Sequence, residues 1–510
     1  MPLSPRELAE SGFLIFTPVF LTLTGSAMVE STLKRLREIV GRENVLDSPE
    51  ALITHSYDAA AMKPQLPLAV VRPSNAEEIS RIVTLANEER FPLVPRGSGT
   101  GLSGGALPVE HSVVVLTNHW NRILEVDPEN LTLTAEPGVI TAQLHQAADR
   151  LGLLYPPDPG SSSICTIGGN VAENAGGLRG LKYGVTKNYV LGLEVVLPTG
   201  EILRTGGKSV KDVAGYNLKD VLVGSEGTLG IFTQILLKII PRPEAQKTML
   251  AFFASMDDAA RTVSAIIAAR ITPAMLEFLD NVTVRCVEEY THLGLPVEAE
   301  AMLLIEVDGR KPVVEEDAAS ILEICRRHSA TSTKLARDEA ESSGLKTARR
   351  AAFTSLARVK PTTIMEDVAV PRADLARLVS RIRDIGRRNN ITIGNFGHAG
   401  DGNLHPNYLT NERDPEEFAR AERTVFEVEE AAIDLGGTIT GEHGVGLFKK
   451  RLLEKMVGSP SMVMMRTLKG MMDPNNILNP GKIFDLRPKC EGPLPRDREA
   501  IRKFEDVAWV

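Results

Sequence analysis

Two short motifs hold the histidine and glutamate residues that could bind a metal ion. They are GHAGDGNLH, which ends at His405, and GEHGVG, which contains Glu442. A β-hairpin with residues 399–402 as its loop would pair His398 with Asn403 and place His405 on the same face as Asn403. The two imidazoles would then be diagonal neighbours, about 7–8 Å apart at the backbone and closer at their tips. With Glu442 they would form a facial ligand set with open positions for a substrate.

A purely structural role is the alternative for these histidines. A single histidine on a strand is usually a hydrogen-bonded structural residue. Two histidines on one face, among nine in the chain, favour metal ligands instead. A histidine and carboxylate set of this kind also fits a metal hydrolase, which is an alternative from another functional class.

Three glycine-rich stretches in the first half of the chain could hold a cofactor. They are residues 95–105 (PRGSGTGLSGG), residues 156–184 and residues 223–231 (VGSEGTLGI). Glycines allow backbone N–H groups to approach a pyrophosphate that side chains would block. The first stretch is neither a G-x-G-x-x-G turn before a helix nor a Walker loop, because the strand VVVLT follows it. One such loop could be a flexible turn, but three together favour a flat cofactor that packs closely against the backbone.

The elements around these motifs form two successive α+β regions. In the first, short β-branched strands alternate with glycine loops and with a helix that Asn75 caps. The second has longer strands, long charged helices and the closing sequence DPNNILNPGKIF. We expect residues 461–485, which carry the last helix, to pack back on the first region. The segments predicted are an upstream extension (1–27), an N-terminal helical segment (28–63), the first domain (64–243), the second domain (244–485) and a tail (486–510).

Composition excludes several classes of protein. The net charge of -8 over 510 residues argues against a nucleic-acid surface. The four cysteines lie far apart without a C-x-x-C pair, so an iron–sulfur cluster within this chain and a disulfide framework are not expected. Residues 12–25 are apolar but shorter than the about 20 residues of a membrane span, and Arg6 is the sole cation upstream of them. We expect a cytoplasmic protein, with peripheral contact at the inner membrane face through partners as the alternative, and Met28 as its natural start.

Residues 64–243 resemble the FAD-binding domain of the vanillyl-alcohol oxidase/p-cresol methylhydroxylase (PCMH) family. The resemblance rests on the order and spacing of the three glycine-rich stretches, and it implies a PCMH-type domain of two subdomains. Covalent members often carry a histidine near the position of Thr100, and this chain has none there, so FAD is expected to bind non-covalently. The FAD contacts that the resemblance implies are Arg96, Gly97, Gly99, Thr100, Gly101, Gly104, Pro157, Ser162, Thr166, Gly168, Asn170, Glu226 and Ile231.

Residues 244–485 resemble the FAD-linked oxidase C-terminal domain, an α+β substrate domain. Glycolate oxidase flavoprotein subunits, D-lactate dehydrogenases and D-2-hydroxyglutarate dehydrogenase contain this domain. Its metal-containing members bind a divalent ion, usually taken as zinc, through the two histidines of GHxGDGNLH and the glutamate of EHG. The roles implied are metal ligands for His398, His405 and Glu442, catalytic base for His443, substrate contact for Asn407, and pairing with the substrate carboxylate for Arg349, with Arg350 as the neighbouring alternative.

The resemblance implies FAD-dependent oxidation of a small 2-hydroxy acid to the 2-oxo acid. The metal would polarise the substrate, His443 would take the hydroxyl proton, and hydride would pass to flavin N5, with a carbanion path left open. Hydroxyglutarate enzymes have a lysine where this chain has Met365, which favours glycolate or D-lactate over a D-2-hydroxyglutarate dehydrogenase-like activity.

The electron acceptor follows only from the resemblance. The resemblance implies a second flavin-domain subunit and an iron–sulfur subunit as partners, with quinone as the final acceptor. A soluble electron-transfer flavoprotein or direct reaction with oxygen also fits the sequence. A metal hydrolase would leave the three glycine-rich stretches without a role. A non-catalytic flavin-binding subunit could lose the histidines, and this chain keeps them.

Overall fold

The first subdomain is a small sheet covered by helices. The computed structural model describes residues 23–486, so most of the expected extension and tail lie outside the described residues. In chain order the elements are α1 (Leu23–Val40), β1 (Val45–Leu46), α2 (Pro49–Thr54), β2 (Ala69–Val71), α3 (Ala76–Glu89), β3 (Leu93–Arg96) and β4 (Val113–Leu116), with a 3₁₀ turn at Arg42–Asn44. The sheet order is β1-β2-β4-β3, with β2 and β3 parallel to β4. The Asn75 side chain accepts the Glu78 backbone N–H, which confirms the predicted cap of α3.

The second subdomain is built on a five-stranded antiparallel sheet. Its elements are β5 (Ile123–Asp127), β6 (Thr132–Ala135), α4 (Thr141–Asp149), β7 (Leu153–Leu154), α5 (Ile167–Glu173), α6 (Gly180–Tyr183), a 3₁₀ turn (Thr186–Asn188), β8 (Val190–Val196), β9 (Ile202–Gly206), α7 (Leu218–Leu222), β10 (Ile231–Lys238) and β11 (Ile240–Pro241), which pairs with β7. The strand order of the sheet is β5-β6-β10-β8-β9. Helix α5 lies inside the second glycine-rich stretch, where the sequence predicted no helix, and Thr166 caps it by accepting the Gly169 N–H.

The second domain is built on one large antiparallel sheet with helices packed against it. Its elements are β12 (Ala245–Phe253), α8 (Met256–Ala268), β13 (Met275–Asp280), α9 (Asn281–Thr291), β14 (Ala301–Gly309), α10 (Lys311–Arg327), β15 (Ala330–Leu335), α11 (Glu339–Arg350), α12 (Ala352–Leu356), β16 (Thr362–Met365), β17 (Val368–Ala369), a 3₁₀ turn (Arg372–Asp374), α13 (Leu375–Asn389), β18 (Thr392–His398), β19 (Asn403–Thr410), α14 (Pro415–Asp434), α15 (Lys450–Val457) and α16 (Ser459–Met472). The strand order of the sheet is β15-β12-β14-β13-β18-β19-β16, and β17 also pairs with β19.

The hairpin that carries the two metal-ligand candidates is confirmed. Strands β18 and β19 are joined by residues 399–402, and His398 pairs directly with Asn403. Both strands are almost wholly buried, because β18 lies between β13 and β19 in the interior of the sheet. A buried sheet interior fixes the side chains of this hairpin more firmly than a surface loop would.

Contacts at separate places hold the two domains together. After α16 the chain returns to the first domain, where Leu93 donates its N–H to Ile477 and accepts that of Asn479. Glu226 of the first domain accepts the N–H groups of Val445 and Gly446, each at 2.7 Å. None of the helices within residues 23–486 is long and apolar enough to cross a membrane.

Candidate active site

A cavity of 1270 Å³ lies between the two domains, and it is lined both by the glycine-rich stretches and by the two motifs that contain histidine and glutamate. All but two of the residues predicted to contact FAD line it, namely Arg96, Gly97, Gly99, Thr100, Gly101, Ser162, Thr166, Gly168, Asn170, Glu226 and Ile231. The exceptions are Gly104, which has a φ of 81° and packs near Met62 and Leu447, and Pro157, whose carbonyl accepts a hydrogen bond from His145. These two residues therefore do not line the cavity.

The glycines of the cavity wall serve two different purposes. A side chain at Gly97 would collide with Thr166 Oγ1, and one at Gly168 would meet Pro137. These two glycines therefore allow the glycine-rich stretches to pack against their neighbours. A Cβ at Gly101 would meet nothing within 4 Å, so there the backbone borders open space that a ligand can enter.

Three donor atoms at the second-domain end of the cavity form a nearly equilateral triangle. Glu442 Oε1 lies 3.2 Å from His398 Nε2 and 3.3 Å from His405 Nε2, and the two Nε2 atoms are 3.5 Å apart. Ligands about 2.0–2.2 Å from a tetrahedral ion are separated by about 3.3–3.6 Å. The spacing of the three donors therefore suits a single small divalent ion.

Glu277 orients the first of these three donors. This buried carboxylate on β13 accepts a hydrogen bond from His398 Nδ1 at 2.6 Å, which leaves His398 Nε2 directed at the triangle. Its other oxygen accepts the Nε–H of Arg349 at 2.7 Å. Burial would lower the pKa of His398, but the carboxylates of Glu277 and Glu442 outweigh it and raise that pKa well above its ordinary value. A carboxylate behind a histidine ligand is the usual arrangement in metal sites.

Asp367 holds the GEHG loop in place. Its Oδ2 accepts the Thr440 hydroxyl and the backbone N–H groups of Gly441, Glu442 and His443, at 2.7 to 2.9 Å. Burial alone would raise the pKa of Asp367, but the adjacent cationic and histidine side chains hold it well below its usual range. Asp367 also lies near His405 and His443 as a second conceivable ligand set. Because its oxygens already accept this many donors, the set with Glu442 suits an ion better.

His443 lies beside the triangle but is not one of its three donors. Its ring stacks on that of His405, with centroids 4.9 Å apart, and its Nε2 is 4.0 Å from Glu442 Oε1. Burial lowers the pKa of His443 to about 4, against the opposing effect of Asp367. The imidazole is therefore neutral at neutral pH and able to accept a proton.

The predicted substrate contacts divide into two groups. Arg349, Arg350 and Met365 line the cavity on the same side as the histidines, and the Arg349 guanidinium lies 4.4 Å from the centre of the Phe396 ring. Asn407 is fully buried behind the wall, and its amide donates to the His405 carbonyl at 2.6 Å. Its Oδ1 has no hydrogen-bond partner within the described residues. Asn407 therefore lies on β19 itself, two residues after His405, and does not line the cavity.

Three carboxylates of the site were missed by the sequence analysis. The sequence analysis gave Glu277 and Asp367 no role in the site, because each contacts residues far away in the chain. Glu173 lies within the second glycine-rich stretch, lines the cavity and has an Oε2 atom that is buried without a hydrogen-bond partner in the described part of the chain. Burial and the neighbouring Glu226 raise the pKa of Glu173 well above its ordinary value. A glutamate within a glycine-rich cofactor loop was the available signal for it.

Comparison with known proteins finds a family model for each of the two domains that line this cavity. The family model for an FAD binding domain matches residues 67–206, and that for the C-terminal domain of FAD linked oxidases matches residues 242–483. The glycolate oxidase subunit GlcD of Bacillus subtilis (strain 168) is 53% identical over 451 residues, which are 88% of this chain and 96% of that protein. The chain belongs to the FAD-linked oxidase family.

Two further comparisons extend this relationship. A D-lactate dehydrogenase of Anaerostipes hadrus is 36% identical to this FAD-linked oxidase over 82% of the chain and 89% of the relative. The crystal structure of p-cresol methylhydroxylase with substrate bound superposes with a TM-score of 0.76 at 17% identity, over 90% of this chain and 98% of that one. The predicted fold, a PCMH-type FAD-binding domain followed by an α+β oxidase C-terminal domain, is confirmed.

Proposed function

We propose that this FAD-linked oxidase oxidises glycolate or D-lactate, with His443 as the base and a divalent ion held by His398, His405 and Glu442. At the coarser level the chain is an FAD-dependent oxidoreductase that acts on small 2-hydroxy acids, as relatives named glycolate oxidase subunit and D-lactate dehydrogenase support. The observation that carries the finer proposal is a neutral imidazole beside a three-donor triangle in the cavity that the FAD loops line.

The residues present fit both FAD and a metal ion. For FAD, the wall has a backbone segment at Gly101 with open space in front of it and a buried, unpartnered carboxyl oxygen on Glu173. For the ion, the donor set of two imidazoles and one carboxylate is the kind that zinc prefers. Bound FAD would accept the α-hydrogen as hydride, and a bound zinc ion would polarise the substrate oxygens.

The chain's own residues bind the substrate and remove its proton. Arg349 is held by Glu277 through its Nε, and its two Nη groups take part in no hydrogen bond among residues 23–486. That edge of the guanidinium suits a carboxylate. His443, neutral because it is buried, would take the hydroxyl proton as the α-hydrogen leaves. Met365 gives the wall an uncharged side chain, which favours a small monocarboxylate over a dicarboxylate.

Electron transfer to a partner is the remaining part of the proposal. Because the Bacillus relative is named as a subunit, we propose that this chain also works in a complex, with a second flavin-domain subunit and an iron–sulfur subunit that passes electrons to quinone. An electron-transfer flavoprotein is the alternative acceptor. Contact with the inner membrane face would then come through the partners, and the chain itself would be cytoplasmic.

Anaerobic bleaching of the flavin tests the reaction and the base together. Purified protein is mixed with glycolate, D-lactate or D-2-hydroxyglutarate, and flavin absorbance is followed. We expect fast bleaching with the monocarboxylates, and a bleaching rate about 10²- to 10⁴-fold lower in His443→Ala with FAD content unchanged. His111→Ala, at an exposed histidine that does not line the cavity, is the matched control. Parental bleaching by His443→Ala would show that the base is a different residue.

A further inference from the structure

Helix α16 carries an apolar face that no other residue of the described chain covers. Val463, Met464, Leu468 and Met471 are 52%, 76%, 37% and 77% exposed. They recur at the spacing of one helical face, and Thr467 lies between them. A soluble helix normally turns charged residues outward, so a contiguous apolar outer face indicates a binding surface. Methionines are common on surfaces that receive helical or extended segments, because their side chains adapt to the partner.

The size of this face argues against a second copy of the chain as its occupant. A stable interface between proteins engages about 20–30 residues on each side. The face of α16 offers only one side of one helix, which is enough for a short segment. A segment of the same chain needs less contact area, because its tether supplies an effective concentration of about millimolar.

The C-terminal tail begins close to this helix. Ile483 and Phe484 pack in the same apolar cluster as Met462 and Met465 of α16. The next residue, Asp485, pairs with Lys450 at 2.8 Å on the preceding helix α15. Residues 487–510 follow, and an extended chain of that length spans about 80 Å, far more than α16 itself. The last ten of these residues include Ile501, Phe504, Val507, Trp509 and Val510.

We propose that the C-terminal tail docks its apolar end, residues 501–510, on the α16 face formed by Val463, Met464, Leu468 and Met471. The docked tail covers side chains that water otherwise contacts, and this burial of apolar area stabilises the contact. The face has no acidic side chain, since α16 contains Arg466 and Lys469 but neither aspartate nor glutamate. Glu505 and Asp506 of the tail are therefore not repelled by it.

Tryptophan fluorescence of the full-length holoenzyme tests this docking. The chain has two tryptophans, Trp120 and Trp509, so Trp120→Phe leaves Trp509 as the single reporter in the tail. In this background we expect weak quenching of Trp509 by acrylamide. Replacing Met464, Leu468 and Met471 together by serine should increase the quenching constant several-fold. The matched control replaces Val210, Val213 and Tyr216, which are exposed on another loop, by serine and should change nothing. Equal quenching in the face and control variants would overturn the proposal.

Methionine oxidation identifies the occupant. Peroxide oxidation of Met464 and Met471, read by mass spectrometry, should be several-fold faster when Ile501, Phe504 and Trp509 are replaced by serine in the full chain. Faster oxidation after replacement of Phe13, Phe16 and Phe20 instead would assign the face to the N-terminal segment and overturn the proposal. Protection that rises with protein concentration would assign it to a second copy, with the same consequence.

Discussion

At the scale of single residues, we expect the reactivity of the candidate site to depend on side chains that do not line the cavity as well as on those that do. Glu277 is wholly buried, and it accepts a hydrogen bond from His398 at one carboxylate oxygen and from Arg349 at the other. A glutamine there can present one oxygen but must turn its amide N–H toward the second partner, which also donates. One of the two hydrogen bonds is then lost, and His398 is free to rotate or to change tautomer.

We therefore expect Glu277→Gln to lower metal affinity about 10- to 100-fold. Metal content would be measured by elemental analysis after dialysis against a series of chelator concentrations. Glu306→Gln is the matched control, because Glu306 is equally buried on the adjacent strand but pairs with Lys346 and Thr248 away from the triangle. If both variants retain metal as the parent does, Glu277 does not orient a ligand.

We expect Met365 to limit the size and charge of the acid that the cavity accepts. It lies in the wall and pairs across β16 and β19 with Asn407. Met365→Lys adds a cation, so we expect kcat/KM for D-2-hydroxyglutarate to rise relative to that for D-lactate, because a second carboxylate gains a partner. Met365→Leu, which conserves volume and stays uncharged, should leave the ratio unchanged. An unchanged ratio in the lysine variant would remove Met365 from the determinants of specificity.

At the scale of elements, the sequence determined the local geometry and left the long-range contacts open. The hairpin of β18 and β19 was predictable because the period of two and a four-residue loop fix its register. The cap of α3 was predictable because Asn75 acts on the next turn. Asp367, in contrast, contacts residues 73 to 76 positions later, and Glu277 contacts His398 across 121 positions. Such pairings follow from the strand order of the sheet, which local patterns do not encode.

Asp367 offers a test of how one side chain positions a whole loop. In Asp367→Asn, an amide N–H takes the place of one carboxylate oxygen, and an N–H cannot accept the hydrogen bonds that residues 440–443 donate. We therefore expect the free energy of unfolding to fall by about 1–3 kcal/mol. Flavin bleaching should slow as well, because Glu442 and His443 lose their anchor. Urea unfolding and anaerobic bleaching measure the two effects. Asp280→Asn removes a comparable buried acceptor, of Thr283 and Asn395, and should lower stability without slowing the reaction. Slowing of equal size in both variants would show that general destabilisation is the cause.

At the scale of the whole molecule, the candidate site lies where the two domains meet. The glycine-rich stretches belong to the first domain, and the three-donor triangle and His443 belong to the second. Asp308 of the second domain accepts the Tyr183 hydroxyl at 2.7 Å and pairs with Lys182, both on helix α6 of the first domain. These contacts of Asp308 lie outside the cavity wall, so they can affect the reaction only through the distance and angle between the two domains.

Asp308→Ala should therefore reduce kcat by up to about 100-fold, because a misplacement of about 1 Å between reacting groups has that effect. FAD and metal content should stay at parental levels, since each is held within one domain. Asp149→Ala, which removes an ion pair with Arg242 at 2.7 Å on the surface, is the matched control and should leave kcat unchanged. Rates come from anaerobic bleaching at saturating substrate, and contents from flavin absorbance and elemental analysis. A loss of kcat that parallels a loss of bound FAD would mean that Asp308 stabilises the first domain. An unchanged kcat would mean that the remaining contacts at Glu226 and Leu93 are sufficient to align the two domains.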